Sequence, residues 1–83
     1  MYQYVLDRDV VEIVLSLPFR QRDEFVHIFR ELAQNPYEKG ENSFVDPLGR
    51  EIERKRFGSW LISFWADHAV KEVRIVGIQK MRR

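Results

Sequence analysis

Eighty-three residues, 45% hydrophobic and 33% charged, suffice for one small core and are too few for two. Cysteine is absent, which excludes disulfides and thiolate metal sites, and no run of about eighteen apolar residues exists to span a membrane. The net charge of +1 hides an asymmetry: residues 1–48 carry five Lys/Arg against nine Asp/Glu, whereas residues 49–83 carry nine against four, so the second half favours an anionic partner.

Tyr2–Leu6 is short, aromatic and β-branched, and reads as a strand. Asp7 and Asp9 stand where a secretory leader needs positive charge, so the chain is expected to be cytoplasmic. Either carboxylate can cap the helix that follows, by accepting from the free N–H groups of its first turn. Within Arg8–Leu17, Val10, Val11, Val14, Leu15 and Leu17 recur at helical spacing, and Pro18 stops the run. A second helix is predicted over Phe19–Gln34, with Phe25, Ile28, Phe29, Leu32 and Ala33 as its apolar stripe. Almost no loop joins the two helices, so they form an antiparallel hairpin. Asn35-Pro36 ends the second helix. Tyr37 to Leu48 reads as a polar loop with Phe44-Val45 as an apolar plug, and Asp46-Pro47-Leu48-Gly49 as a turn.

Three strands close the chain: Arg50–Phe57, Ser59–Ala66 and Lys71–Ile78, broken by Gly58 and by Asp67-His68. Alternation puts Trp60, Ile62, Phe64 and Ala66 on one face and Leu61, Ser63 and Trp65 on the other. Such two-sided apolarity suits a central strand. In the third strand Val73, Ile75 and Gly77 oppose Glu72, Arg74, Val76 and Ile78. In the first, Ile52, Arg54 and Arg56 oppose Glu51, Glu53, Lys55 and Phe57. The predicted fold is α+β, one domain over residues 1–83: a two-layer β-α-α-β-β-β arrangement with the helical hairpin on one face of a small twisted antiparallel sheet. Its core is expected to contain Phe25, Ile28, Phe29, Leu32, Ile62, Phe64, Val73 and Ile75.

A basic strand beside an aromatic one makes a platform for an anionic partner. Arg54 and Arg56 share a face and can clamp one phosphate. With Lys55, Lys80 and Arg82 they are the candidate catalytic cations if the chain cleaves RNA, where a 2′-OH attack needs the phosphorane charge stabilised. The alternative is that these cations pair with Glu51 and Glu53 across a solvated edge strand. The candidate binding residues are Arg54, Arg56, Trp60, Trp65, Arg74, Lys80, Arg82 and Arg83, since Trp and Arg dominate binding hot spots. His27 lies beside the apolar stripe and reads as packed or surface. His68 with Asp67 is either a base with its orienter or a polar turn pair. No metal-ligand spacing, phosphate loop or serine elbow occurs, so no metal or cofactor is expected.

The order strand, helix, helix, loop, three strands resembles the RelE/ParE family of bacterial toxins over nearly the whole chain. The landmarks are Leu32–Pro36, the basic strand Gly49–Phe57, the run Phe57-Gly58-Ser59-Trp60-Leu61-Ile62-Ser63-Phe64, and Val73-Arg74-Ile75-Val76. The resemblance implies a toxin held inactive by a cognate antitoxin in a hetero-oligomer. One branch of that family cuts mRNA on the ribosome without a metal, and the other poisons DNA gyrase. The nuclease branch usually has an arginine where this chain has Leu61, and a closing arginine and tyrosine where this chain runs Gly77 to Arg83. Gly58–Trp65 looks more like the gyrase-directed branch, which makes gyrase the expected target. A ribosome-dependent endoribonuclease is the first alternative, and a non-toxic interaction module on the same fold the second.

Overall fold

The computed structural model describes residues 1–82. Strand β1 (Gln3–Leu6) leads through Asp7 into helix α1 (Arg8–Leu15). Asp7 occupies the N-cap, but its carboxylate makes no capping bond and instead faces Arg74 at 3.7 Å. α1 ends two residues before its apolar spacing does, because the backbone straightens ahead of Pro18. Helix α2 spans Phe19–Gln34, as the stripe predicts. Its Arg22 turns back on α1: Nε donates to the Leu17 carbonyl at 2.7 Å and the guanidinium also reaches the Leu15 carbonyl. Those carbonyls have no helical donors of their own, and a cation there complements the negative end of the helix dipole.

Both helices lie on one face of a five-stranded sheet ordered β1-β5-β4-β3-β2, where β2 is Asn42–Val45, β3 Glu51–Phe57, β4 Trp60–Asp67 and β5 Glu72–Lys80. Between the layers sit Val10, Val14, Phe25, Phe29, Leu32, Ile62, Phe64, Val73, Ile75 and Ile78. Ile28 only flanks this core. The rings of Tyr4, Phe25 and Trp60 continue it, with Phe25 stacked on Phe29 at 5.7 Å and Trp60 edge-on to Phe25 at 5.1 Å. β4 is the central strand, as its two apolar faces require.

Three features differ from the sequence expectation. The sheet is mixed, because β1 pairs with β5 in parallel while the other pairs are antiparallel. Side-chain patterning specifies which face is buried and says nothing of strand direction. Secondly, the expected loop contains the edge strand β2, so β3 is not an edge. All four β2 residues are exposed, which erases the alternation that announces a strand. Gly40 makes the approach to β2 possible: a Cβ there would stand 2.3 Å from the Arg54 carbonyl oxygen. Thirdly, β5 is out of register with its own alternation. Ser63 faces Gly77 while Phe64 faces Ile75, leaving Val76 as an extra residue. The bulge returns Ile78 to the core and moves Gly77 to the opposite face, so Gly77 lies with Ser63 rather than with Val73 and Ile75.

The β2–β3 turn is held by one carboxylate, as its sequence suggested. Asp46 accepts from the N–H groups of Leu48 (3.0 Å) and Arg50 (2.9 Å) and from Arg50 Nε (2.8 Å). Burial pushes the carboxyl up, but these bonds and the Arg50 charge more than reverse that and hold it below its ordinary value. A depressed folded value stabilises the fold above the unfolded one, and that contribution is lost as pH falls through the folded value. Acid unfolding of Asp46→Asn should therefore show a weaker pH dependence below the ordinary value of 3.8 than wild type does. Superimposable acid melts would remove Asp46 from the groups that set acid stability.

Candidate functional site

The sheet face away from the helices is where the sequence-predicted cations meet an open surface. Cross-strand register places Arg54 opposite Ser63 and Arg56 opposite Leu61, while Ser63 faces Gly77 and Leu61 faces Gln79. Trp65, opposite Arg74, continues the same face. Arg54 and Arg56 thus border a floor of small and uncharged side chains. Arg54 is held in place: its Nε donates to Asn42 Oδ1 at 2.8 Å, and its guanidinium lies 5.0 Å from the centre of the Phe44 ring. Arg56 is exposed. Among the described residues neither arginine has a carboxylate within ion-pair distance. Two guanidinium groups two residues apart on one strand, that of Arg54 fixed, present N–H donors to an anion, the arrangement that phosphate recognition uses.

Other candidates are placed differently. Arg74 is ion-paired, to Glu72 at 3.2 Å and to Asp7 at 3.7 Å. Trp65 lies under the Arg50 guanidinium at 4.9 Å, and its buried Nε1 has no acceptor among the described residues. Lys55, Trp60 and Lys80 occupy the helix-side face. There Lys55 pairs with Glu38, and Lys80 stands over the Trp60 ring at 5.6 Å. Lys80 therefore does not lie over the sheet beside Arg54. Arg82 is exposed just past β5, and Arg83 lies outside the described residues. Glu51 and Glu53 do not pair with the strand cations either; Lys39 from the preceding loop meets both, at 3.5 and 3.7 Å.

Sequence reasoning missed Asn42 and Phe44, which orient Arg54. The signal was weak: a polar-apolar pair in a segment whose other residues favour turns.

The two tryptophans face opposite layers, as their spacing requires, and both are half-buried. His27 is exposed on α2. His68 does not engage Asp67. Its Nδ1 is hydrogen-bonded to the Tyr2 hydroxyl at 2.6 Å, and its ring stacks on Tyr37 at 4.7 Å. Asp67 instead accepts from the Ala69 N–H at 3.2 Å, a turn role. The neighbouring Tyr37 hydroxyl, then partial burial, hold the Tyr2 phenol above its ordinary value. This cluster borders a cleft of about 400 Å³ beside Glu51 and Glu53, at the opposite end of β3 from Arg56. Among the described residues no three His, Asp or Glu converge as a metal site, and no helix is long and apolar enough to cross a membrane.

No protein-family model matches the chain, and no curated protein matches it. Its architecture does have a solved counterpart. The crystal structure of the archaeal RelE–RelB complex from Pyrococcus horikoshii OT3 contains a chain that superposes with a TM-score of 0.72 over 99% of this chain and 97% of that one, at 20% identity. At that identity the likeness is one of fold.

Proposed function

We propose that this chain is the toxin of a toxin–antitoxin pair, and that its open sheet face engages RNA. The observation that carries the reading is Arg54 and Arg56 side by side on that face without carboxylate partners among the described residues, Arg54 being fixed by Asn42 and Phe44. The shared fold with a chain of a RelE–RelB complex supports the pairing with an antitoxin and favours the RNA target over gyrase. The chemistry available is electrostatic. Both arginines can stabilise charge on a phosphorane formed by attack of a 2′-OH. Among the described residues no histidine or carboxylate stands beside them on the floor to act as a conventional base. A cognate antitoxin, in this reading, covers the face and silences it.

A second reading has its own observation. Leu61, between Arg56 and Gln79 at the middle of the face, carries no charge where a cleaving site gains most from one. That favours inhibition by binding an essential protein such as DNA gyrase.

One experiment separates these readings. Induced expression should arrest growth and leave new cut sites in translated mRNA, mapped by primer extension. Arrest with DNA damage and no cut sites would replace RNA by gyrase. Undisturbed growth would leave a non-toxic interaction module.

A further inference from the structure

The unpaired cations do not stop at the open face. Lys80 and Arg82 are exposed and, like Arg54 and Arg56, have no carboxylate partner among the described residues. They lie at the same end of the sheet, around the Gly58–Ser59 turn, Lys80 on the helix side and Arg82 just past the end of β5. Three observations tie them to the arginines across that turn. The Met81 N–H donates to the Ser59 carbonyl at 2.7 Å, so the chain leading to Arg82 is pinned against the turn. Trp60 stands directly across from Lys80 and backs its ammonium at 5.6 Å. The turn itself is bare: Gly58 has a positive φ of 61° and nothing within 4 Å of where a Cβ would be, and Ser59 is exposed. No Asp or Glu occurs in residues 54–66 or 73–82. At the other end of the sheet Lys39, Arg50 and Arg74 are each matched to a carboxylate, while Lys71 in the β4–β5 turn has none among the described residues.

We infer that a single RNA strand bound on the open face continues over the Gly58–Ser59 turn and places further phosphates on Lys80 and Arg82. The inference rests on the RNA reading above and adds to it a path and a length. Strands lie about 4.8 Å apart, so the ledge from β3 to β5 is about 10 Å wide. That width admits one strand, and a duplex would need a far broader surface. Charge without base-edge readout makes the contact sequence-tolerant.

The test uses oligoribonucleotides of roughly 4 and 12 nucleotides, within the span of known single-strand sites. Affinity is read by fluorescence anisotropy across a salt series, with circular dichroism as the check on folding. Wild type should bind the longer strand more tightly and with the steeper salt dependence. Lys80→Gln/Arg82→Gln should lose that advantage, its salt slope on the long strand falling by about 1.4, or about 0.7 per phosphate contact. Its binding of the short strand should match wild type. Arg54→Gln/Arg56→Gln should weaken both strands. A Lys80/Arg82 variant that keeps the wild-type length advantage overturns this inference alone. Wild type that binds neither strand, or an Arg54/Arg56 variant that binds both normally, overturns the RNA reading with it.

Discussion

Phe29→Ala should cost about 3–5 kcal/mol, the usual range for emptying a buried aromatic site. Phe29 is 1% exposed and joins the two layers, with Tyr4 of β1 at 5.6 Å and Phe25 at 5.7 Å. The cavity would open where α2 meets β1, and neither element can settle into it freely. α2 is tied to α1 through Arg22, and β1 is tied to β5 by its ladder. Whole domains are stable by only about 5–15 kcal/mol, so this one change removes a large share. For a domain of this size each kcal/mol moves Tm by roughly 4–8 °C, which puts the expected drop at about 12 °C or more. Phe19→Ala is the control, because Phe19 is 78% exposed on the same helix. It should shift stability by no more than about 0.5 kcal/mol. Thermal melts followed by circular dichroism decide the matter: equal Tm values for Phe29→Ala and wild type would refute the packing described.

Phe29 was legible in the sequence because helical periodicity is a local code. The stripe from Phe25 to Ala33 needs only the sheet's existence to become buried, not its topology. The central position of β4 was legible for a similar reason, since Ile62 and Trp65 are apolar on opposite faces. What stayed illegible depended on long-range pairing. The bulge at Val76 arises from register with β4, and nothing within Val73–Ile78 announces it. A strict alternation therefore put Ile78 and Gly77 on the wrong faces. β2 was hidden because an edge strand exposed along its whole length has no buried side to mark it.

The site was legible in the same graded way. Arg54 and Arg56 share a face by parity alone, so their adjacency followed from the sequence. That Lys80 takes the helix side follows from the register shift, which sets it opposite Trp60, and the Met81–Ser59 bond holds the chain leading to Arg82 against the turn. Asp67-His68 looked like a possible base and orienter because the two are neighbours in sequence. Successive residues leaving a strand point apart, however, and His68 finds Tyr2, sixty-six residues away.

On the proposed RNA-cleaving reading, replacing Arg54 by glutamine should lower cleavage by about 10²–10³, the range seen on removing one preorganised donor to a developing oxyanion. Arg56→Gln should lose less. The two arginines are equally charged but not equally fixed: Arg54 is bonded to Asn42 and lies over Phe44, whereas Arg56 is exposed with no partner of this kind among the described residues. A donor already aimed costs no reorganisation when charge develops, and one that must be ordered first gives part of its stabilisation back. Asn42→Ala should accordingly lower cleavage in the direction of Arg54→Gln but by less, because the guanidinium remains and only its hydrogen-bonded restraint is gone. All three positions lie on the face away from the helices, so thermal melts should stay close to wild type. The readout is the yield of cut sites on translated mRNA, by primer extension, set against growth arrest. Arg54→Gln that cuts as well as wild type would show that this face is not the catalytic one. A variant that stops cutting but still arrests growth would separate the two activities, and would move the toxic action to the binding of a protein target.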